Sequence, residues 1–413
     1  MTLAQEPVII AGAGPGGLSL ALLLHQRGIP FRVYEAVQEL KPLGVGINLL
    51  PHSVRVFHDL GVMDTLLAHG VETGTLLFCN KFGQHIKAEP RGKRAGYKYP
   101  QISIHRGFLQ MILYRALVQR AGGGVVQTGH ALESWQDEAD GVTVALRTAA
   151  GEAVTVTGRC LIAADGIKST ARQRLYPDEG PPLYSGNLLW RFTTLQPPYL
   201  DGRTMVMAGH YKQKLVCYPI TNADDDGVAL INWIAELYRP DWQQLDQNWI
   251  NQVSKELFCA PYASWKFDWL DVPGAIDNAE IIYEYPMTDR DPLPQWTFGH
   301  MTLLGDAAHP MYPIGSNGAS QAVLDAETLA NELASGKPLP AALASYEAER
   351  RPATAKIVQA NRKEGPDIIL EIAEERAPEG FTNIAEVISE YELEVISSRY
   401  KQTAGFDVKQ VNR

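Results

Sequence analysis

Gly12-Ala-Gly14-Pro15-Gly16-Gly17 sets glycines at the spacing G-x-G-x-x-G. Each has a separate task. Gly12 permits a tight turn, Gly14 lets the backbone approach a pyrophosphate, and Gly17 allows close packing of a helix on a strand. The helix start that follows presents unpaired N–H groups and a positive dipole end to phosphates. Glu35 closes the next apolar stretch, with Ala36 beside it. A carboxylate there can accept both ribose hydroxyls of an adenosine and would repel a 2′-phosphate. These residues describe a dinucleotide site without choosing between NAD and FAD.

Two later segments make that choice. Cys160-Leu-Ile-Ala-Ala-Asp165-Gly166 is an apolar strand running into Asp-Gly, followed by Ser169 and Arg172 at a helical start. Leu303-Leu-Gly305-Asp306-Ala-Ala-His309 is another strand ending in Gly-Asp. An NAD dehydrogenase has no use for a second strand-end Asp so far from the glycine turn. FAD has one, because its ribityl chain carries hydroxyls between pyrophosphate and ring.

The elements that must position these residues are legible from pattern. Pro7–Ala11 is wholly apolar, as a buried parallel strand is. Leu18–Arg27 reads as a helix ending near Gly28, and Pro30–Glu35 as a second strand, which completes one βαβ unit. Tyr184–Leu195, Lys214–Ile220 and Val228–Leu237 alternate like antiparallel strands. From Ser320 onward the pattern is helical, with segments at Gln321–Ser335 and Ala341–Arg350, a further run from Pro352, and Ala385–Tyr400. The expected fold is mixed α/β: a Rossmann-like FAD-binding domain over 1–180 and 287–352, an inserted antiparallel-sheet substrate domain over 181–286, and a helical region over 353–413.

The chain has 413 residues, 45% hydrophobic and 20% charged, so more than one core is expected. Its formal net charge of −10 argues against a nucleic-acid or anionic-membrane partner. Cys79, Cys160, Cys217 and Cys259 are scattered without C-x-x-C or a His at ligand spacing. Neither a metal site nor a disulfide framework is expected. Met1–Pro7 lacks the basic start of an export signal, and no apolar run spans a bilayer, so a cytoplasmic location is expected.

The three motifs at Gly12–Gly17, Asp165–Arg172 and Gly305–His309 occur in the order found in the single-component flavoprotein aromatic hydroxylases, of salicylate and para-hydroxybenzoate hydroxylase type, and the chain resembles that family from Val8 to about Pro352. The resemblance implies that Asp306 holds the ribityl chain, that the Asp165 segment serves FAD and nicotinamide nucleotide, and that Arg106 reaches the FAD phosphates. A narrower likeness, to phenazine-modifying monooxygenases of pyocyanin biosynthesis, lies in Leu43–Asn48 (with Gly46 a cofactor residue), Tyr99–Arg106, Tyr285–Pro294 and Met311–Gln321. Ser316 stands where the salicylate hydroxylases tend to have Gly, and Gly315 comes one position earlier.

What the family implies chemically is hydride transfer from NADH or NADPH to FAD, then addition of dioxygen at C4a of the reduced flavin to give a hydroperoxide that hydroxylates a planar aromatic or heteroaromatic ring. The Pro313–Asn317 loop would lead into a helix over Gly318–Ala330 whose first amides, at Gly318 and Ala319, face the electron-rich edge of the flavin. Gly315 would allow the close approach, and Tyr312 and Pro313 would touch the reacting ring. His309 is expected to pack beneath the flavin. Trp190, Tyr218 and Trp233 are candidates to stack on the substrate, and Arg191 to pair with a substrate carboxylate. Ala121–Val125 lacks the third fingerprint glycine, so nicotinamide would bind transiently. The rival readings are a flavin-bound sequestering or sensing protein and a flavin-dependent halogenase, although the W-x-W-x-I-P segment of the latter is absent. The acidic C-terminal helix leaves a homodimer open.

Overall fold

The computed structural model describes residues 6–242, 251–363, 365–403 and 407–412. Val8–Ala11 is at most 2% exposed and sits inside a six-stranded sheet. Cys160–Ala163 and Phe31–Tyr34 flank it in parallel, with Val8 opposite both Cys160 and Phe31. Met301–Leu303 continues the sheet, parallel to Cys160–Ala163. This register is what brings the three motifs together, because each follows the same end of a neighbouring parallel strand. Ligands of such sheets bind outside the carboxyl ends of the strands.

The helix after the first strand runs Pro15–Gln26, with proline in its first turn and Leu18–Leu24 entirely buried. Its apolar surface all round reflects its place between the sheet and the helices Arg106–Ala121 and Gly318–Ala334.

The second layer is an eight-stranded sheet whose central strands are Leu183–Gln196, Ala229–Tyr238, Gln213–Pro219 and Thr204–His210. It draws on residues well before 181: Thr75–Cys79 pairs in parallel with Thr204–His210, and His85–Pro90 forms the edge. No local pattern announces a pairing so distant in sequence. One face of this sheet packs on its own aromatic core of Trp190, Phe192, Trp233, Phe258 and Tyr262. The other face meets the first layer and the C-terminal segments, where Ile369, Leu370, Ile388 and Leu393 bury against Leu76, Phe78 and Val216.

Leu339–Lys363 is one continuous helix with Pro352 inside it, not two. The proline removes a backbone donor, but the helix is anchored on both sides. Tyr346 donates its hydroxyl to the Leu303 carbonyl, Arg350 is bound to Asp325, and the Thr354 hydroxyl donates to the Arg350 carbonyl. No helix among the described residues is long and apolar enough to cross a membrane.

Candidate active site

Between the two layers lies a cavity with about 1560 Å³ of open space, counted to its mouth. Its wall joins the glycine turn, Arg106, Ala164, Gly166, Gly305 and Asp306 to the Met311–Ala319 loop and the inner face of the large sheet.

The glycines divide by what surrounds them. Gly12 has φ +110°, and a Cβ there would lie 2.2 Å from the Ala164 carbonyl oxygen. A Cβ on Gly17 would lie 2.1 Å from the Gly12 carbonyl oxygen, and one on Gly16 2.8 Å from Leu304. These three serve the fold's own close contacts. Gly14 differs: it lines the cavity, and a Cβ on it would meet nothing within 4 Å. Protein packing gives no reason for glycine there, whereas a phosphate pressed on the backbone does. Pro15 opens the helix beside it.

Glu35 braces the turn from the neighbouring strand. Its Oε2 accepts from the Ala13 N–H at 2.7 Å and its Oε1 from the Val37 N–H at 3.0 Å. Glu35 and the exposed Ala36 stand outside the wall of the main cavity. Asp165 lies between two wall residues, Ala164 and Gly166. Its Oδ2 accepts from the Ala171 N–H, its buried Oδ1 has no partner among the described residues, and burial raises its pKa. Arg106 and Asp306 are exposed on the cavity wall, and neither makes a side-chain hydrogen bond or ion pair with the described residues. An open approach at Gly14, an orphaned carboxylate oxygen and an uncommitted guanidinium fit FAD.

Arg172 plays a part its motif position does not reveal. It is 2% exposed, donates to the Ala307 and Ala308 carbonyls at 3.2 and 2.9 Å, and pairs with Glu179. The second motif thus clamps the backbone of the third. His309 faces away from the cavity. It bonds Asp325 Oδ2 at 2.5 Å, and Arg350 holds the other Asp325 oxygen at 2.7 Å. Burial works against the Asp325 charge, but His309 and Arg350 outweigh it and depress its pKa.

The loop before Gly318–Ala334 departs from expectation at one residue. Tyr312, Pro313, Ser316, Asn317, Gly318 and Ala319 line the cavity, but Gly315 does not. Gly315 and Ser316 take φ of 70° and 60° in succession. Two left-handed residues in a row turn Gly315 toward a small separate cavity behind the loop and bring Ser316 to the wall. The helix itself runs to Ala334, past the expected Ala330, and its first residues, Gly318 and Ala319, are on the wall.

The sheet forms the deep end. Along a strand, alternate residues face opposite sides. Leu189 and Arg191 face the cavity, so Trp190 lies behind, stacked on Phe258 with centroids 5.0 Å apart and donating Nε1–H to Glu284 at 3.0 Å. Ile234 and Glu236 likewise face in, so Trp233 lies behind, stacked on Phe192 and donating to Thr194. Trp190 and Trp233 therefore belong to the far core and cannot reach a ring in the cavity. Arg191 and Tyr218 do line it. Arg191 donates to the Gly46 carbonyl at 2.7 Å and lies over the Tyr285 ring. Gly46, also on the wall, donates its N–H to Asn232 at 2.7 Å, and a Cβ on it would lie 2.7 Å from Asn232. Burial pushes the Tyr218 phenol up to about 12, against the opposing pull of Arg191.

Sequence reasoning missed the residues that shape the deep end. Met205, Met207, Val216, Ile234 and Met287 supply apolar walls, and Lys214, Glu236 and Asp367 supply charge. Lys214 is 5% exposed, with Nζ 2.6 Å from Asp367 Oδ2 and 3.1 Å from Glu236 Oε2. Burial opposes its charge, yet the two carboxylates prevail and raise its pKa. Burial also raises the pKa of Glu236, with Lys214 pulling the other way. A lysine alternating with Val216 and Tyr218 on an apolar strand was the available signal.

A family model described as FAD binding domain matches residues 5–361. The phenazine 1,6-dicarboxylic acid hydroxylase PhzS of Lysobacter antibioticus is 43% identical over 369 residues, covering 87% of this chain and 90% of the relative. The aurachin C monooxygenase/isomerase of Stigmatella aurantiaca is 32% identical over 346 residues, covering 83% and 84%. Among solved structures, Klebsiella pneumoniae HpxO complexed with FAD and uric acid superposes with a TM-score of 0.74 at 22% identity, covering 100% of this chain and 98% of that one.

Proposed function

Because the chain belongs to the FAD binding domain family and is an FAD-dependent monooxygenase drawing on NAD(P)H and dioxygen, we propose that it hydroxylates a planar, fused-ring heteroaromatic acid of the phenazine kind. In this reading residues 1–180 and 287–352 carry the cofactor and 181–286 the substrate, with Thr75–Cys79 and His85–Pro90 completing the substrate sheet. When bound, FAD supplies hydride acceptance from the nicotinamide and the activation of dioxygen.

The chain's own residues bind, orient and exclude. The backbone at Gly14–Gly17 and the Arg106 fork hold the pyrophosphate, Glu35 the adenosine ribose, and Asp306 the ribityl hydroxyls. The first amides of the 17-residue helix Gly318–Ala334 would stabilise the negative charge that FAD chemistry develops on the bound ring. Tyr312 and Pro313 flank the reacting ring. The apolar walls keep water from the oxygen-transfer step. Tyr218, protonated far above neutral pH, serves as a hydrogen-bond donor and not as a base. Arg191 pairs with a substrate carboxylate.

The observation that carries the reading is the composition of the deep end: apolar walls from Met205, Met207, Val216, Ile234 and Met287, with cationic side chains on the sheet at Arg191 and Lys214. On the strand register these two are two strands and two residues apart, roughly 12 Å between Cα atoms. That spacing suits an acid larger than a single benzene ring. The kinship with a phenazine 1,6-dicarboxylic acid hydroxylase supports the same class.

The test is a screen of the FAD-loaded protein with phenazine carboxylates, unsubstituted phenazine and single-ring benzoates, following NADH loss and peroxide together. A fused-ring acid is expected to speed NADH oxidation and suppress peroxide. Stimulation by the benzoates alone would overturn the substrate class, and no stimulation by any ring compound would favour a sequestering role.

A further inference from the structure

A second cavity, with about 980 Å³ of open space, adjoins the first. Lys214, Glu236, Met287, Tyr312, Ile314 and Asp367 line both cavities and so form the partition between them. The polar part of that partition is the Lys214 cluster, whose three members are held unequally. Glu236 is committed, since Asn187 donates to its Oε1 at 3.2 Å while Lys214 binds its Oε2. Asp367 is not. It precedes the helix Ile368–Arg376, yet its side chain makes no capping hydrogen bond to that helix. Its contact with Lys214 at 2.6 Å is its side-chain hydrogen bond among the described residues. An ammonium has three donors. Asp367 and Glu236 take two, and the third has no acceptor among the described residues.

Resting on the fused-ring acid reading, we propose that Lys214 binds a substrate carboxylate and that Asp367 is its internal placeholder, which leaves Lys214 when the acid enters. Charge accounting supports the exchange. One cation and two carboxylates make up the cluster before the exchange. One cation, Glu236 and the substrate carboxylate make it up afterwards, so the charge around Lys214 does not change, and the released Asp367 carries its own charge into the second cavity, whose wall includes Arg362 and Lys363. The released Asp367 turns into the second cavity, which removes one side of the partition and lengthens the room available to a multi-ring acid. A neutral ring cannot displace Asp367 and meets the partition closed.

The experiment compares equilibrium binding of a phenazine carboxylate and of unsubstituted phenazine to the yellow holoprotein by titration calorimetry, with NADH turnover in parallel. Asp367→Asn removes the competitor while keeping the shape. It should tighten binding of the acid by about tenfold, the scale of one charge-assisted contact, and leave the neutral ring unchanged. Lys214→Met should weaken the acid by about tenfold or more and spare the neutral ring. Retained flavin shows that this second variant is folded, and the Asp367→Asn arm stands without it. The proposal is overturned if acid and neutral ring shift together in Asp367→Asn, if neither shifts, or if the native holoprotein does not bind the acid. Hydroxylation of the acid with no dependence on Lys214 or Asp367 sinks this inference alone. Absence of hydroxylation of every ring, acid or neutral, sinks the functional reading instead.

Discussion

Gly14→Val separates the cofactor's demands from those of the fold. Gly14 sits at φ −72° and ψ 177°, a backbone shape any residue adopts, and its missing Cβ faces open space with nothing within 4 Å. Without a ligand the substitution should cost no more than ~0.5 kcal/mol, the range of an unencumbered surface change. Gly17→Val is the contrast, since its Cβ would lie 2.1 Å from a backbone oxygen that cannot move without opening the turn. Overpacking of that kind costs ~1–3 kcal/mol or more. For FAD the order reverses in kind: a valine at Gly14 fills the space a pyrophosphate needs, and a loss of at least ~100-fold, about 2.7 kcal/mol, is expected. The assay is thermal unfolding of the apoproteins with and without FAD. At a hundred times its Kd, FAD stabilises the native chain by about 2.7 kcal/mol. After a hundredfold loss the same concentration contributes only ~0.4 kcal/mol. The apo midpoints of native and Gly14→Val should coincide while the FAD-induced rise nearly vanishes. A Gly14→Val protein that stays fully yellow, or one whose apo form unfolds as early as Gly17→Val, would mean that Gly14 is not kept open for the pyrophosphate.

Ser316→Gly should raise the thermal midpoint, because Ser316 holds φ 60° and a glycine there recovers ~1 kcal/mol; a fall in the midpoint would count against it. Trp190→Leu should lower stability by ~3 kcal/mol through its lost stack in the far core while leaving KM for the ring substrate unchanged, whereas Tyr218→Phe should raise KM with little change in stability. The buried Glu89 carboxyl is a pH-dependent clamp on the C-terminal helix. Burial alone would raise its pKa, but Arg91, Lys401, Ser397 and Lys87 outweigh this and hold it at about 2. A depressed carboxylate stabilises fully above its unfolded pKa, near 4.5, and loses that contribution as pH falls toward 2, in all roughly 3 kcal/mol. Limited proteolysis should therefore release Glu390–Thr403 below about pH 3 in the native chain and already at neutral pH in Glu89→Gln; equal resistance of both at every pH would contradict the clamp.

What was legible in the sequence is what the backbone dictates locally. The glycine turn, the strand-end Asp residues and the parallel strands that precede them carry their constraints within a few residues, and register alone then gathers them. The deep end was not legible for the opposite reason. Its walls are alternate residues of strands paired across the whole length of the chain, and its charged cluster joins Lys214 and Glu236 to Asp367 from beyond the long helix. Alternation shows that a strand has two faces but not which one meets the cofactor. The aromatic face looked like the substrate side and is the far core, while the methionine-bearing face lines the cavity. Pro352 reads as a helix break, and only the buried anchors at Tyr346 and Arg350 explain why the helix passes through it.

The central claim is that this cavity joins one oxygen atom to a fused aromatic acid. The most direct measurement is mass spectrometry of the ring compound after turnover by the FAD-loaded protein with NADH under isotopically heavy dioxygen. The expected product carries one heavy oxygen atom per NADH consumed, with the label on the ring. Unlabelled ring compound recovered intact, with all the heavy oxygen in peroxide, would contradict it.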